Sequence, residues 1–306
     1  MRFGLHLPSA QPGANAADIL EVARTAERLD FDSVWMFDHL FTPVELDSKY
    51  PYSRDGSYAM SSTDPFYDPL GLYGVLAGAT EKVRIGTGVT IAAYRHPIVL
   101  GKMLATIENF APGRIVLGLG RGWMQEEFDA LGVPFERRGA RLEEYIRVLR
   151  AIWSGEPVSF EGKFYSWPEA GFLPAPTTHL PILLGGHGDE ALRRTAELGD
   201  GWVVTTQKQQ GHGVDAVAAR LDVLREYSDK ADRDFSELEI VYPNLLWFSD
   251  GPNPKMPLTG PPEEIAASIK RLGDIGVSTA HMIVFGPGPL VCETAQRFSE
   301  EVLPLL

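Results

Sequence analysis

Short apolar runs alternate with longer amphipathic stretches along the whole chain, and this alternation constrains the fold more than any single motif. Strand candidates lie at 2–7, 33–37, 83–89, 115–119, 181–184, 201–204, 239–247 and 279–285. Helix candidates lie at 16–29, 68–79, 97–110, 137–153, 189–198, 214–228, 262–275 and 290–302. The stretch from Arg137 carries Leu142, Tyr145, Ile146, Leu149 and Trp153 at the spacing of one buried helix face. Pro97 and Pro262 stand where proline is tolerated, in a first helical turn. Repeated strand–helix units build a mainly parallel sheet. About eight of them in 306 residues is the size of an α/β fold of the (β/α)8 TIM barrel type. No Pro/Ser-rich linker or composition shift divides the chain, so residues 1–306 are expected to form a single domain.

Two segments exceed a minimal barrel. Residues 41–65 are polar, aromatic and rich in turn formers. Residues 154–180 contain Phe160-Glu161-Gly162-Lys163-Phe164-Tyr165, a hairpin signal, and then a proline-rich return. Long loops in compact domains are usually functional or disordered. Both segments are expected as insertions at the barrel mouth, with surface decoration as the alternative for each.

The formal net charge of −13 argues against nonspecific nucleic-acid binding and against docking on an anionic membrane. A phosphate ligand would have to be held locally, by backbone amides or a few Arg and Lys. The one cysteine, Cys292, excludes an internal disulfide and gives no zinc cluster; it reads as a small apolar helix residue. The start, MRFGLHLPSA, has no long apolar segment, and no run approaches a membrane span, so a cytoplasmic location is expected.

A barrel places its active site at the C-terminal ends of its strands. Asp38-His39 follow the second strand. Histidine is suited to moving a proton near neutral pH, and an adjacent Asp is expected to orient or charge it. Gly86-Thr87-Gly88-Val89-Thr90 end the third strand, where glycine marks a bulge or a close backbone approach. Arg95-His96-Pro97 follow at a helix start and read as capping and salt bridging. The fourth strand leads into Gly118, Gly120, Arg121, Gly122, Trp123 and Glu126. Glycines there suit the approach of a flat ligand, because no Cβ stands in the way. The dinucleotide fingerprint G-x-G-x-x-G fails, since Trp123 takes the third glycine position. Gly185-Gly186-His187-Gly188-Asp189 open a helix whose free amides suit phosphate. Thr205, Thr206 and Gln207 are candidate donors after the sixth strand. Glu126 and Glu127, adjacent on a helix, do not face each other, so at least one is expected on the solvated surface. The tryptophans read as core, with Trp123 the exception.

In combination these segments resemble the luciferase-like monooxygenase superfamily. The resemblance is carried by Ser33 to His39, Gly86-Thr87-Gly88-Val89, His96-Pro97, Gly113 to Trp123, Gly185-Gly186 and Gly199-Asp200-Gly201-Trp202. Within the superfamily the chain looks most like oxidoreductases that use the deazaflavin coenzyme F420, with FMN-dependent monooxygenases as the alternative. A barrel that binds a cofactor without turnover is the non-enzyme alternative. The resemblance implies a (β/α)8 barrel, with Asp38 and His39 beside the reactive ring and His39 exchanging a proton. It implies that Gly88 and Val89 back the ring, often through a non-prolyl cis peptide. Gly120, Arg121, Gly122 and Glu126 would form the fourth-strand wall, and Gly185, Gly186, His187 and Gly188 the phosphate loop. Some members, sugar-phosphate dehydrogenases included, carry a catalytic Glu where Trp123 stands, which speaks against a sugar-phosphate substrate. Phe41, Tyr50, Tyr52, Tyr58, Phe66 and Tyr67 point to an apolar or aromatic small molecule. Family members are often dimers, which makes a homodimer an expectation.

Overall fold

Eight parallel strands close on themselves in the computed structural model, which describes residues 1–53, 55–205, 213–253 and 255–306. The barrel strands are β1 (Arg2–His6), β2 (Ser33–Met36), β3 (Arg84–Thr87), β4 (Ile115–Gly120), β5 (Ile182–Gly185), β6 (Gly201–Val203), β7 (Glu239–Leu245) and β8 (Thr279–Ile283). Their spatial order is β3-β2-β1-β8-β7-β6-β5-β4, and pairing of Ile85 with Ile115 and Gly86 with Val116 joins β3 to β4 and closes the ring. This is the expected (β/α)8 barrel.

The outer layer consists of α1 (Ala16–Arg28), α2 (Pro69–Ala79), α3 (Pro97–Phe110), α4 (Gln125–Ala130), α5 (Arg138–Ile152), α6 (Asp189–Leu198), α7 (Val214–Lys230), α8 (Pro262–Asp274) and α9 (Gly288–Glu301). Helix starts follow local chemistry. Asn15 caps α1 by accepting from Asp18 N at 3.0 Å, and Asp68 caps α2 by accepting from Leu70 N and Gly71 N. His96 caps α3 through Nδ1, which accepts from Ile98 N at 3.3 Å, so its expected capping role holds. Leu142, Tyr145, Ile146 and Leu149 on α5 are all buried, as their spacing requires. Cys292, on α9, is half-buried against Thr25.

Outward-facing strand side chains such as Leu5, Val34, Ile85, Leu117, Ile182 and Trp202 join the helices in one core. The inside is filled differently. Trp35 lies across it, and the flanking strands yield to the indole. A Cβ at Gly4 would stand 2.4 Å from Trp35 Nε1, and one at Gly86 would stand 2.7 Å from its Cε3. Its Nε1 donates to Ser33 Oγ at 2.8 Å, and His281 stacks on its ring at 5.2 Å. His281 Nε2 in turn meets His6 Nδ1 at 3.1 Å, both rings being fully removed from solvent. The interior is therefore a packed plug that holds a buried histidine pair.

The insertions divide between the two ends of the barrel. Residues 41–65 follow β2 and lie on the mouth side, as expected. Residues 154–180 begin at the other end. They follow α5, so the chain enters from the opposite end and runs up the outside of α3 and α5. The hairpin Val158–Glu161/Ser166–Ala170 turns at Gly162 to Tyr165, and Glu144 of α5 accepts backbone N–H groups from Lys163, Phe164 and Tyr165. The return accepts from Lys102 through Leu173 O and is tied to Glu108 through Thr177 and Thr178. This segment fastens outer helices, and its hairpin tip reaches their mouth-side ends, where Tyr165 packs on His96 and Arg137 lies over Phe164.

The histidine pair has a pH signature. Burial lowers the His6 pKa to about 3, and burial with His6 beside it takes His281 well below its usual value. In the unfolded chain both titrate near 6.5. As pH falls below that value the unfolded chain takes up protons that the folded barrel refuses, so stability is lost as pH falls and is level above it. Each histidine should contribute a slope of about 1.4 kcal/mol per pH unit below pH 6.5. Urea unfolding at stepped pH values should show that slope, and His6→Gln and His281→Gln should each flatten it. An identical slope in wild type and both variants would contradict this account.

Candidate active site

His39 leaves β2 at the mouth and is held by a residue from a distant part of the chain. Its Nδ1 lies 2.7 Å from Glu127 Oε2. Glu127 is fully buried on α4 and takes two further donors: Leu40 N at 2.6 Å and the Tyr94 hydroxyl. Three donors on one buried carboxylate satisfy it as an anion. Burial, and then the adjacent Glu127 charge, raise the Tyr94 phenol far above its usual range, so it stays a donor. Among the described residues the other imidazole nitrogen, Nε2, makes no hydrogen bond.

Asp38 does not partner His39. Its carboxylate turns to the next loop, where it accepts from Ile91 N at 2.9 Å and from both Arg95 guanidinium nitrogens at 2.7 and 3.0 Å. Burial pushes the Asp38 carboxyl up, and the two-pronged Arg95 contact opposes that shift. Arg95 also reaches Asp68, the α2 cap. Adjacent residues at a strand end point to opposite sides, so Asp38 and His39 must find different partners. Glu127, one of the two adjacent carboxylates of which at least one was expected on the solvated surface, is buried and is the carboxylate that orients His39. Its role could not be read from the sequence because α4 has only six residues, too few for a helical pattern to declare a buried face.

The chain after β3 crosses from one neighbour to the other. Gly88 N donates to Met36 O, the Gly88–Val89 peptide is cis, and Thr90–Ile91 then pair with Leu119 and Gly120 of β4. The strand-end glycines serve this crossing. A Cβ at Gly118 would lie 1.8 Å from Thr87 O, one at Gly120 2.5 Å from Val89 Cγ2, and one at Gly185 3.0 Å from Val89 Cγ1. They admit the protein's own backbone and Val89, rather than a ligand directly. Gly122 packs under Ile91 and Phe128, and Arg121 is exposed beside it.

The glycine loop after β5 is also drawn together at the mouth. Gly186, at φ +125°, donates N–H to Thr205 Oγ1 at 3.0 Å, and its carbonyl accepts from Trp202 Nε1 at 2.7 Å. Gly188 precedes α6 with no side-chain cap and with open space where a Cβ would be. The first-turn acids Asp189 and Glu190 are neutralised by Arg220 and Arg193. The Ala191 and Leu192 amides bond Gly188 O, which leaves the Asp189 and Glu190 amides of this turn to an outside acceptor. His187 lies in the same loop. Thr206 and Gln207 lie outside the described residues.

Glu126, expected as part of the wall, has a second attachment. Its Oε1 accepts from Asp47 N and Ser48 N, both at 2.9 Å, and Ser48 Oγ accepts from Gln125 N at 3.0 Å. Its Oε2 is buried without a partner. The 41–65 loop is pinned across the mouth by this clasp. Tyr58, Phe66 and Trp123 lie 5.4 to 5.6 Å from the His39 ring, and Tyr50 packs on Tyr58 and Trp123. The Tyr52 hydroxyl bonds Thr205. Trp123 is therefore part of a ring cluster over His39 and not of the core.

The family described as luciferase-like monooxygenase matches residues 1–252. An F420-dependent glucose-6-phosphate dehydrogenase of Nakamurella multipartita is 32% identical over 245 residues, covering 79% of this chain and 66% of that protein. Among solved structures, an F420-dependent secondary alcohol dehydrogenase in complex with an F420-acetone adduct superposes with a TM-score of 0.77 at 20% identity, covering 100% of this chain and 99% of the other. A riboflavin lyase with modified FMN and riboflavin superposes with a TM-score of 0.80 at 13% identity, covering 100% and 91%. At those identities the two structures speak for the fold alone. Among the described residues no helix is long and apolar enough to cross a membrane.

The clasp on the loop is testable by hydrogen exchange. Glu126→Ala should speed amide exchange at Asp47 and Ser48 about tenfold or more, the loss of roughly 1.4 kcal/mol of charge-assisted hydrogen bonding. The barrel strands should exchange as before. Unchanged exchange across 41–65 would mean that the loop is held by its rings instead.

Proposed function

The chain belongs to the luciferase-like monooxygenase family, and from that premise we propose that it is an oxidoreductase using the deazaflavin coenzyme F420 on a small uncharged organic substrate. The observation that carries this reading is His39, held through Nδ1 by buried Glu127 with Nε2 left unbonded at the barrel mouth. The identity to a relative named for F420 supports the choice of cofactor.

The residues present fit such a group. Gly88 and Val89 would support the ring, with the nearest atom to a Cβ at Gly88 at an ordinary 3.6 Å. The amides opening α6, with Gly185, Gly186, His187 and Gly188, would hold its phosphate. Gly120, Arg121 and Gly122 would flank it, and the unpartnered Glu126 Oε2 offers a buried acceptor. When bound, the deazaflavin supplies or accepts a hydride. His39 moves the accompanying proton at Nε2. Glu127 keeps Nδ1 protonated, fixes the ring, and balances the charge when the imidazole is doubly protonated. Asp38 acts one step away, by holding Arg95 and the Ile91 amide so that the loop after Val89 keeps its place. The rings of Tyr50, Tyr58, Phe66 and Trp123 exclude water and favour a flat, uncharged substrate over a sugar phosphate. Arg95 is already committed to Asp38 and Asp68.

Side-by-side titration of purified protein with oxidised F420 and with FMN should give tighter F420 binding. Tighter FMN binding by about tenfold, roughly 1.4 kcal/mol, would reverse the choice of cofactor. Turnover followed by cofactor reoxidation against enones, imines and quinones should fall about a hundredfold or more in His39→Ala. Glu127→Gln should also slow it, about tenfold or more. Cofactor affinity should change less than turnover in both. Wild-type turnover in a folded His39→Ala protein would place the proton donor elsewhere.

A further inference from the structure

β7 and β8 pair side by side, with Leu245 level with Ile283, and both chains continue beyond the barrel into the mouth. Their side chains alternate between the helix layer and the barrel axis. Tyr242, Leu246, Met282 and Val284 join the core shared with the helices, and Phe248 packs against it. Val241 clusters with Trp35 in the interior, and His281 stacks on the same indole. The alternation therefore turns Pro243, Leu245 and Trp247 of one chain segment, and Ile283 and Phe285 of the other, toward the axis. Exposure rises along this inward face. Val241 and His281 are fully buried, Pro243, Leu245 and Ile283 are half-buried, and Trp247 and Phe285 are 53% and 59% exposed. Trp247, read from the sequence as core, is thus a residue of the mouth, and Phe285 stands beside it, across β1 from His39.

Both backbones are fixed although the rings are open. Trp247 N donates to Leu258 O at 3.1 Å, and Trp247–Phe248 pair with Thr259–Gly260. Gln11 donates Nε2 to Gly286 O and accepts from Gly286 N at 3.1 Å on Oε1, which pins the chain next to Phe285. Among the described residues neither ring packs on another ring. The indole donors show a matching contrast. Trp35, Trp153, Trp167 and Trp202 each donate to an oxygen of the chain. Trp123 and Trp247, the two at the mouth, donate to none among the described residues. Single exposed apolar side chains are ordinary, but adjacent large ones left open mark a binding surface.

We propose that Trp247 and Phe285 determine specificity: with Leu245 and Ile283 they form a wall that takes a planar substrate of two or more fused rings bearing a carbonyl oxygen. This rests on the mouth being an oxidoreductase site and narrows what that site accepts. In that reading the cofactor ring lies against Gly88 and Val89 after β3, which leaves the β7–β8 side to the substrate. A single ring covers one of the two open side chains, whereas a fused system covers both and gains from each. None of the inward side chains from Pro243 to Phe285 on these two segments carries a charge, so a charged substrate would lose its water with nothing in the wall to replace it. A carbonyl oxygen is the acceptor that a free indole N–H can take.

Ligand-observed NMR with acetophenone, chromone and xanthone, ketones of increasing ring number, tests the wall. The series is run on the protein alone and on protein saturated with oxidised F420 or FMN, with no reductant, so that binding is read without turnover. Affinity should rise about tenfold or more from acetophenone to xanthone, roughly 1.4 kcal/mol. Trp247→Ala and Phe285→Ala, both at exposed side chains on separate segments, should each remove most of that gain, and either one decides alone. Trp247→Phe, which keeps a ring, should retain part of it. Phe110→Ala, at an exposed ring on the outer end of α3, should leave the gain as it is. Equal affinity for the three ketones, a gain that survives in both alanine variants, or an equal loss in Phe110→Ala overturns the wall. The cofactor reading is judged separately: tighter FMN binding reverses the cofactor and leaves the wall standing, whereas a flat ring series in protein that prefers F420 removes the wall alone.

Discussion

Strands β3 and β4 approach each other more closely than a side chain at position 118 would permit, and the mouth of the barrel is built on that approach. With hydrogen in place of a methyl, the Thr87 carbonyl comes down onto Gly118 and the chain can change neighbours, from β2 below Gly88 to β4 above Val89. Tyr73 reinforces the seam by donating to Val116 O at 2.6 Å, and Thr87 Oγ1 donates to Gly118 O at 2.9 Å. Everything on the mouth's floor follows. Val89 settles between Gly120 and Gly185, Ile91 presents its amide to Asp38, and the turn after it delivers Tyr94 to Glu127 and Arg95 to Asp38.

Two buried carboxylates then divide the work. Asp38 is compensated by a full positive charge from Arg95 and serves to anchor backbone. Glu127 is compensated by hydrogen bonds from neutral groups and by an imidazole, so its negative charge sits beside the His39 ring. A buried charge must be paired or hydrogen-bonded, and the choice between these determines which carboxylate can respond to a proton on His39.

The barrel was legible in the chain because its signals are local. Eight apolar runs and their helices repeat, and caps such as Asn15, Asp68 and His96 stand at the helix starts. Bounds shifted by a residue or two, as at β7, which ends at Leu245 and not at 247. The candidate site was legible only as a set of positions. Strand ends place Asp38, His39, the strand-four glycines and the glycine loop near one another, but partner choice depends on three-dimensional reach. Hence Asp38 belongs to Arg95, 57 residues away, and His39 to Glu127, 88 residues away. The glycines after β4 were read as room for a ligand. They are room for Thr87 and Val89, a distinction that sequence periodicity does not carry. The route of the 154–180 segment follows from topology: chain leaving a helix starts at the far end from the mouth, and only the hairpin tip climbs to the helix ends at His96 and Arg137.

Glu126 grips the 41–65 loop by main-chain amides at Asp47 and Ser48. Apart from Ser48, whose hydroxyl takes the Gln125 amide, a clasp that reads backbone is indifferent to which side chains the loop displays. The tyrosines of the loop are therefore exchangeable in a way that the anchor is not. A lineage could replace Tyr50, Tyr52 or Tyr58 and so redraw what the mouth admits, while the loop stayed fastened across it and the proton-handling residues beneath were left undisturbed. In this architecture selectivity and chemistry are written on separate segments and are free to change at different rates.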